Sequence, residues 1–573
     1  MLHELTELQN SVMDLKGKNV LKACPGSGKT YVIAHKVAKD YSNWREKNKG
    51  MAVLSFTNVA KDELAIKIRE LTHLKELPYP HYVGTLDSFI SQFIFLPYGN
   101  LILKNEQRPS LLENDFAIRF SKFFWKKECY SNCCKPDEFI MGMDRKVYYL
   151  NKKAKSCPIL KNKPCIKFKN SVYTKGYINY QESLMIAIEI LRKYPEILSL
   201  IIKRFPNVIV DEAQDTSNLQ MELLNLLFDN GVKTSILIGD PDQAIYEWRD
   251  ADPTVFLNLY KMDTWNSIEL NENFRCSQHI CNATHIFSSL THPSISIGKS
   301  KDCSLKPIVM KYENENSLIK KFETICMENE ISITPKNVAV LVRGRSSING
   351  NNYSSISNLW QTPETEMLAK ATYYKGECDT VKTKSFCEKF IYYIVFDNNA
   401  NSIDECIINK KYSTKEWNSL IFDLATILPD SSVSLKEWKY ALNDILEKYL
   451  VKNKIDCISK ANIKTKTRVV DKKISDFMDQ PIKKFFVESE KDRFLITTIH
   501  AVKGCTFDAV MLIIKSRGKL TPKMINEFDT ATEEIRTFYV AATRARKLFV
   551  VAFPETTKKK TLVRFPEDKW TYV

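Results

Sequence analysis

The eight residues Ala23-Cys24-Pro25-Gly26-Ser27-Gly28-Lys29-Thr30 constrain the fold more than any other part of the chain. An apolar pair, Val20 and Leu21, precedes them, and a helix-like segment from Tyr31 to Asp40 follows. Strand, glycine turn and helix N-terminus in that order form the setting of a phosphate-binding loop. Glycines let backbone N–H groups turn toward phosphate oxygens, and the start of the helix adds positive potential. In such a loop Pro25, Gly26, Ser27 and Gly28 wrap the phosphates. Lys29 reaches the β- and γ-phosphates of a nucleotide, and the Thr30 hydroxyl sits on Mg²⁺. Ala23 stands where the strict pattern has glycine, so a glycine-rich turn before an ordinary helix is the competing reading.

A second element supplies the acids. Val208-Ile209-Val210-Asp211-Glu212 reads as an apolar strand ending in two carboxylates, the form of a Walker B element. Asp211 would hold the Mg²⁺ water shell and Glu212 would polarise an attacking water. A solvated turn also places acids side by side. The residues that follow, Ala213-Gln214-Asp215-Thr216, argue against a surface turn.

Further motifs appear in a fixed order. Upstream of the loop lies Gln9. Val53-Leu54-Ser55-Phe56-Thr57-Asn58-Val59-Ala60 and Gly84-Thr85-Leu86-Asp87-Ser88-Phe89 come next, then Asp211-Glu212-Ala213-Gln214-Asp215. Ile238-Gly239-Asp240-Pro241-Asp242-Gln243-Ala244-Ile245-Tyr246-Glu247-Trp248-Arg249 and Leu270-Asn271-Glu272-Asn273-Phe274-Arg275 follow. The last two are Thr498-Ile499-His500-Ala501-Val502-Lys503-Gly504 and Tyr539-Val540-Ala541-Ala542-Thr543-Arg544-Ala545-Arg546. From Gln9 to Arg546 the chain resembles the superfamily 1A helicases, the UvrD, Rep and PcrA group, whose motifs Q, Ia, Ib, II, III, IV, V and VI these segments match.

That resemblance implies an α/β fold with two RecA-like parallel-sheet motor domains of the P-loop NTPase class and mainly helical inserted domains. Residues 1–90 and 189–265 form RecA-like domain 1A, with strand candidates at 51–56, 207–210 and 235–239. Residues 91–188, rich in Lys and aromatics, form an inserted 1B domain. Residues 266–345 and 490–573 form domain 2A, with strand candidates Val338–Val342, Ala509–Ile514 and Leu548–Phe553. Residues 346–489 hold no recognised motif and occupy the place of a 2B domain.

The resemblance also distributes roles. ATP and Mg²⁺ are the implied cofactors, with Thr30 and Asp211 at the metal. Gln9 would read adenine, although a surface glutamine is nearly as good a reading of that residue alone. Phe274 stands where relatives carry Tyr and keeps the π face for the base. Gln243 would sense the γ-phosphate, Arg275 and Arg544 would be arginine fingers, and Gly504 would border the nucleotide. The competing reading of either arginine is a surface salt bridge. For DNA, Phe56 and Trp248 are stacking platforms, and Thr57, Asn58, Thr85, Arg249, His500 and Lys503 suit phosphate or base contacts. Phe56 could equally be a core residue at a strand end.

Three motif positions depart from the family. Asp87 replaces His, Asp250 replaces Gly, and Thr506 replaces a Glu that contacts ribose. The compact length and these changes are also similar to the helicase-like subunit of Gabija-type phage-defence systems, which pairs with an OLD-like nuclease. Only 27 residues follow Arg546, so any strand cutting is expected from a partner protein. Three functions stay open: an ATP-driven helicase or translocase on single-stranded or 3′-tailed duplex DNA, a DNA-sensing ATPase that regulates a nuclease, and an ATPase acting on no nucleic acid.

Composition is compatible with all three. The chain has 573 residues, 44% hydrophobic and 27% charged, enough for three or four ordinary globular domains. A net charge of +16 suits a polyanion, because each neutralised phosphate releases counterions. No apolar run approaches the roughly 18 residues of a membrane span and Met1 to Val12 has no signal-peptide core, so a cytoplasmic location is expected. Of the 15 cysteines, Cys129, Cys133, Cys134, Cys157 and Cys165 cluster without recurring Cys-x-x-Cys pairs. Free thiols and a metal site both remain open there. Cys24, inside the phosphate loop, is a candidate for oxidative slowing of the ATPase.

Overall fold

The structure, a computed structural model, describes residues 4–104, 108–111, 139–149, 169–170, 172–245, 252–344, 359–396, 408, 411–455, 465, 468–469, 472–473, 477–486, 494–518 and 520–573. The chain falls into two compact units, one of Met1–Asn114, Phe124–Ile348 and Arg493–Val573, the other of Asp115–Phe123 and Asn349–Asp492.

The larger unit holds two six-stranded parallel sheets. Strands β1 (Gly17–Ala23), β2 (Met51–Ser55), β3 (Tyr82–Thr85), β4 (Asn207–Val210), β5 (Thr234–Gly239) and β6 (Asn266–Leu270) form the first, in the order β6-β1-β5-β4-β2-β3. All five pairings are parallel. Strands buried on both faces read as near-continuous apolar runs, as in Met51-Ala52-Val53-Leu54 and Val208-Ile209-Val210. Alternate side chains enter opposite layers. Val20, Leu54, Val208, Val210 and Leu237 pack with Leu223, Leu224 and Phe205 on one side. Leu21, Val53, Ile209, Ile236 and Ile238 pack with Val32, Ile33, Val37, Leu64 and Ile68 on the other. Each such side chain contributes about 1.5–3 kcal/mol by leaving water.

The structure moves one expected boundary. Residues 266–270 belong to the first sheet, not the second: β6 lies at its edge, with Asn19 opposite Asn266 and Ala23 opposite Leu270. Its first residues, Asn266 and Ser267, are exposed, so the pattern alone does not declare a strand.

Strands β7 (Ile308–Tyr312), β8 (Val338–Val342), β9 (Leu495–Thr498), β10 (Phe507–Ile513), β11 (Ala545–Pro554) and β12 (Thr571–Tyr572) form the second sheet, in the order β9-β8-β10-β11-β7-β12. It too is wholly parallel. Its core joins Val510, Leu512, Phe549 and Val551 to Phe287, Phe538, Phe565 and Trp570. The fold is therefore α/β, with two RecA-like sheets.

The other unit is mainly helical among its described residues. Helices Pro363–Gly376, Thr380–Phe396, Thr414–Ile427 and Leu435–Lys452 enclose Trp417, Trp438, Phe390 and Leu424. Ser413 with Glu416, and Ser434 with Glu437, form capping boxes that fix two of these helix starts. The cysteine cluster at 129–165 lies outside the described residues. One continuous helical run, Leu86–Leu103, is long and apolar enough by composition to cross a membrane, against the expectation of none. Its Phe89, Ile90, Ile94 and Phe95 are buried in the core of the first sheet.

Candidate nucleotide site and nucleic-acid interface

The phosphate loop leaves β1 and enters a helix, α1 (Lys29–Ser42), at Lys29. Gly26 and Gly28 hold φ of +73° and +76°, a conformation that a side chain disfavours. A Cβ on Gly26 would also lie 2.6 Å from Arg275 Cβ. Phe274 N–H donates to Gly26 O at 2.9 Å, and Cys24 N–H donates to Leu270 O at 2.9 Å. The loop and the segment after β6 are thus sewn together by backbone bonds.

Gln9 is buried, and its Nε2 donates to Ser27 O at 3.2 Å. A capping box with Thr6 orients it. Phe274 and Arg275 line a cavity of 1090 Å³ together with Thr6, Gly298, Asp508 and Arg546.

Thr30 Oγ1 and Asp211 Oδ2 lie 3.4 Å apart. A hydroxyl facing a carboxylate is an all-oxygen donor pair of the kind Mg²⁺ takes. Ser27 Oγ is buried with no partner among the described residues, inside the two-glycine cradle. These groups fit a Mg²⁺-nucleotide, and Thr30 and Asp211 are the residues that would hold the metal. When bound, the metal supplies neutralisation of charge on the β- and γ-oxygens.

The acids are placed in a dry setting. Burial and the neighbouring Glu212 charge push Asp211 up to about 7, against the pull of Lys29. Burial also pushes Glu212 upward, but Lys29, Lys503, a hydrogen bond from Gln214 and Arg544 more than offset it, leaving Glu212 below its ordinary value. Glu212 sits at φ +54°, turned out of the strand that carries Asp211.

The second sheet brings cations to these acids. Arg544 Nη2 donates to Gln243 Oε1 at 2.7 Å. Its other nitrogens donate to Val540 O at 3.0 Å and Cys505 O at 3.4 Å. Burial, then the nearby Arg275 charge, pulls the Arg544 guanidinium down to about 9. Arg275 Nη1 donates to Thr543 O at 3.2 Å, so both guanidinium groups meet at one turn. Lys503 Nζ lies 2.6 Å from Asp215 Oδ2. Gly504, at φ +92°, follows Lys503 in the same turn.

Two family models match this chain: the UvrD/REP helicase N-terminal domain over residues 5–263 and the UvrD-like helicase C-terminal domain over 410–556. The chain belongs to the UvrD-like superfamily 1 helicases. It is 24% identical to the ATP-dependent DNA helicase Rep of Buchnera aphidicola, covering 97% of this chain and 96% of that one. It is equally 24% identical to the Gabija protein GajB of Bacillus cereus, covering 93% of each. With the ATP-dependent DNA helicase PcrA of Staphylococcus aureus it shares 27% identity over 49% of this chain and 39% of the other.

In this UvrD-like chain the expected nucleic-acid residues divide into four groups. Phe56 is partly buried at the end of β2, Thr57 caps the next helix through Ala60 N–H at 3.2 Å, and Asn58 is exposed. Thr85 is buried and bonded to Ser88 Oγ at 2.7 Å, while the exposed Asp87 accepts from Gln220 Nε2 at 2.9 Å. His500 lies 3.3 Å from Arg343 Nη1, and Lys503 is turned to Asp215. Trp248 and Arg249 lie outside the described residues.

Cys24 does not suit a redox role. It is buried, with Sγ 3.6 Å from Glu272 O, and burial pushes its thiol well above the ordinary range. Oxidation needs an accessible thiolate, so that expectation is withdrawn.

The sequence places Gln214 and Asp215 in a motif without individual roles and does not single out Arg536. All three are buried, and Arg536 Nε donates to Ala244 O at 2.7 Å. Their presence inside or beside recognised motifs was the available signal.

Proposed function

We propose that the protein is an ATP hydrolase that translocates along single-stranded DNA and unwinds 3′-tailed duplex, moving 3′ to 5′. The observation that supports this best is the Arg544–Gln243 contact. A cation from the second sheet rests on a first-sheet residue that is itself bonded to Asp240, an acid within the reach of the Lys29 charge. Lys29 and the loop N–H groups bind the triphosphate, Glu212 takes a proton from the attacking water, and Arg275 and Arg544 stabilise charge as the γ-phosphoryl departs. A triphosphate would draw these cations from their first-sheet acceptors and its hydrolysis would return them, so turnover is tied to how the two sheets are seated. Aromatic and polar groups of both sheets that hold a strand would then step along it.

The test is ATP turnover with and without single-stranded DNA, followed by unwinding of a forked duplex. Stimulated turnover with unwinding of a 3′-tailed fork supports the motor. Absence of any effect of DNA on turnover refutes it.

A second reading rests on the full-length likeness to the Gabija protein GajB. On it, DNA-stimulated hydrolysis regulates a separate nuclease in anti-phage defence, and stimulation occurs without processive unwinding.

A further inference from the structure

Gln214 is fully buried between the acids of the first sheet, and both ends of its amide are occupied. Its Nε2 donates to Glu212 Oε2 at 2.6 Å. Its Oε1 accepts the backbone N–H of Asp240 at 2.9 Å. The Asp240 carboxylate accepts from Gln243 Nε2, and Gln243 Oε1 accepts from Arg544 Nη2 at 2.7 Å. Five groups therefore run without a break from the second-sheet arginine to the glutamate of the first: Arg544, Gln243, Asp240, Gln214, Glu212.

The amide is tightly seated. A Cβ on Gly239 would stand 2.4 Å from Gln214 Oε1 and 3.0 Å from its backbone N, so glycine at 239 is what lets the side chain through. Glu212 needs such a holder. Its left-handed φ gives the residue no strand neighbours to orient it, and it is only partly buried. A carboxylate that accepts a proton from water must keep one oxygen aimed at the water, and the Gln214 N–H occupies the other.

We propose that Gln214 is a positioning residue for hydrolysis, fixing the Glu212 carboxylate and linking its orientation to the seating of Arg544 through Asp240 and Gln243. This rests on the reading of Glu212 as the group that activates water. Both polar ends of the Gln214 amide are taken, by Glu212 and by Asp240 N–H, so it acts through Glu212. Hydrogen bonds to charged groups are worth enough to change rate by roughly 10- to 100-fold.

Gln214→Glu keeps the acceptor for Asp240 N–H and turns the donor into a second carboxylate facing Glu212. Gln214→Met keeps the length and removes both bonds. In each, DNA-stimulated kcat is expected to fall about 10- to 100-fold with KM for ATP within about twofold of the parent. A residue that served packing alone would lower the thermal midpoint without this split. Should one variant not fold, the other carries the measurement. A folded variant with kcat within twofold of the parent, or one whose KM rises as far as kcat falls, overturns the proposal. Glu212→Gln is measured alongside. If it retains turnover, the reading of Glu212 fails. If it is inactive while the Gln214 variants are normal, the positioning role alone fails.

Discussion

The two sheets share strand number and parallel pairing, yet they treat polar groups in opposite ways. The first keeps a set of buried acids, Asp211, Asp215, Asp240 and Asp242, close to one another. Burial raises each of them above the ordinary carboxylate range. The second contributes cations, and the groups that receive them include first-sheet atoms: Arg544 on Gln243, Lys503 on Asp215, Arg536 on the Ala244 carbonyl. Neither set is comfortable alone, because burying a charge without a partner is costly. The two sheets are therefore joined by second-sheet cations resting on first-sheet acceptors, one an acid and two neutral oxygens, and a triphosphate entering there would compete for cations already engaged.

The severest test of this asymmetry removes a cation from the second sheet. Arg544→Ala is expected to lower turnover by roughly 10³- to 10⁵-fold, the range of an arginine finger. Glu212→Gln should cost roughly 10²- to 10⁴-fold, the range of a general base. Steady-state phosphate release measures both. Near-normal turnover in Arg544→Ala would mean that its contact with Gln243 is packing and that the sheets do not share the chemistry.

Much of the first sheet's side of the comparison was legible in the chain. Gly26 and Gly28 mark the loop because only a residue without Cβ takes their φ easily, and the Val208-Ile209-Val210 run marks the strand that Asp211 follows. The cross-sheet partners were not legible. Lys503 and Asp215 are 288 residues apart, and nothing local says that this lysine faces an acid. Gln214 stands in the chain only as one letter of the Asp211–Asp215 motif. Its role depends on Gly239 approaching from another strand, which only the order β5-β4 of the sheet reveals. Strand β6 was misplaced for a similar reason: its pairing with β1 defines it, more than its own pattern does.

The Lys503–Asp215 pair gives the next effect in size. Asp215 is buried and its Oδ1 has no partner among the described residues. Removing the lysine leaves an uncompensated carboxylate, so Lys503→Met should destabilise the larger unit by about 3–5 kcal/mol. Lys503→Met combined with Asp215→Leu should recover much of that loss. Urea unfolding of the single and double variants checks it. A loss below about 0.5 kcal/mol in the single variant would place the pair among ordinary surface ion pairs and weaken the contrast between sheets.

A smaller effect probes the seam between the loop and the segment after β6. Gly26→Ala puts a Cβ 2.6 Å from Arg275 Cβ at a positive φ. The conformational part alone is about 1–2 kcal/mol. Nucleotide affinity should fall about tenfold or more, read by fluorescent-nucleotide titration. Unchanged affinity would show that the loop can move away from Arg275 freely.

A further effect is a pH dependence, and its sign follows from burial. Asp242 accepts from Ser289 N–H at 2.8 Å and Ser289 Oγ at 3.1 Å, yet burial and then the Asp240 charge push it up to about 7. In the unfolded chain an aspartate titrates near about 3.9. Between those values the folded state holds a proton that the unfolded state has released, so this group's contribution to stability falls as pH rises through that window. Below about 4 both states are protonated, and above about 7 both are ionised, so the slope is confined between. Asp215, pushed up to about 6, acts in the same direction over the lower part of the window. Asp242→Asn keeps an acceptor for Ser289 and cannot titrate. Relative to the parent it should therefore gain stability steadily from pH 4 to pH 7 and hold a constant difference above that. Thermal midpoints of parent and variant across that range measure the difference. A flat difference would mean that the Ser289 bonds keep Asp242 ionised throughout, and that the first sheet carries its charges with less strain than its burial implies.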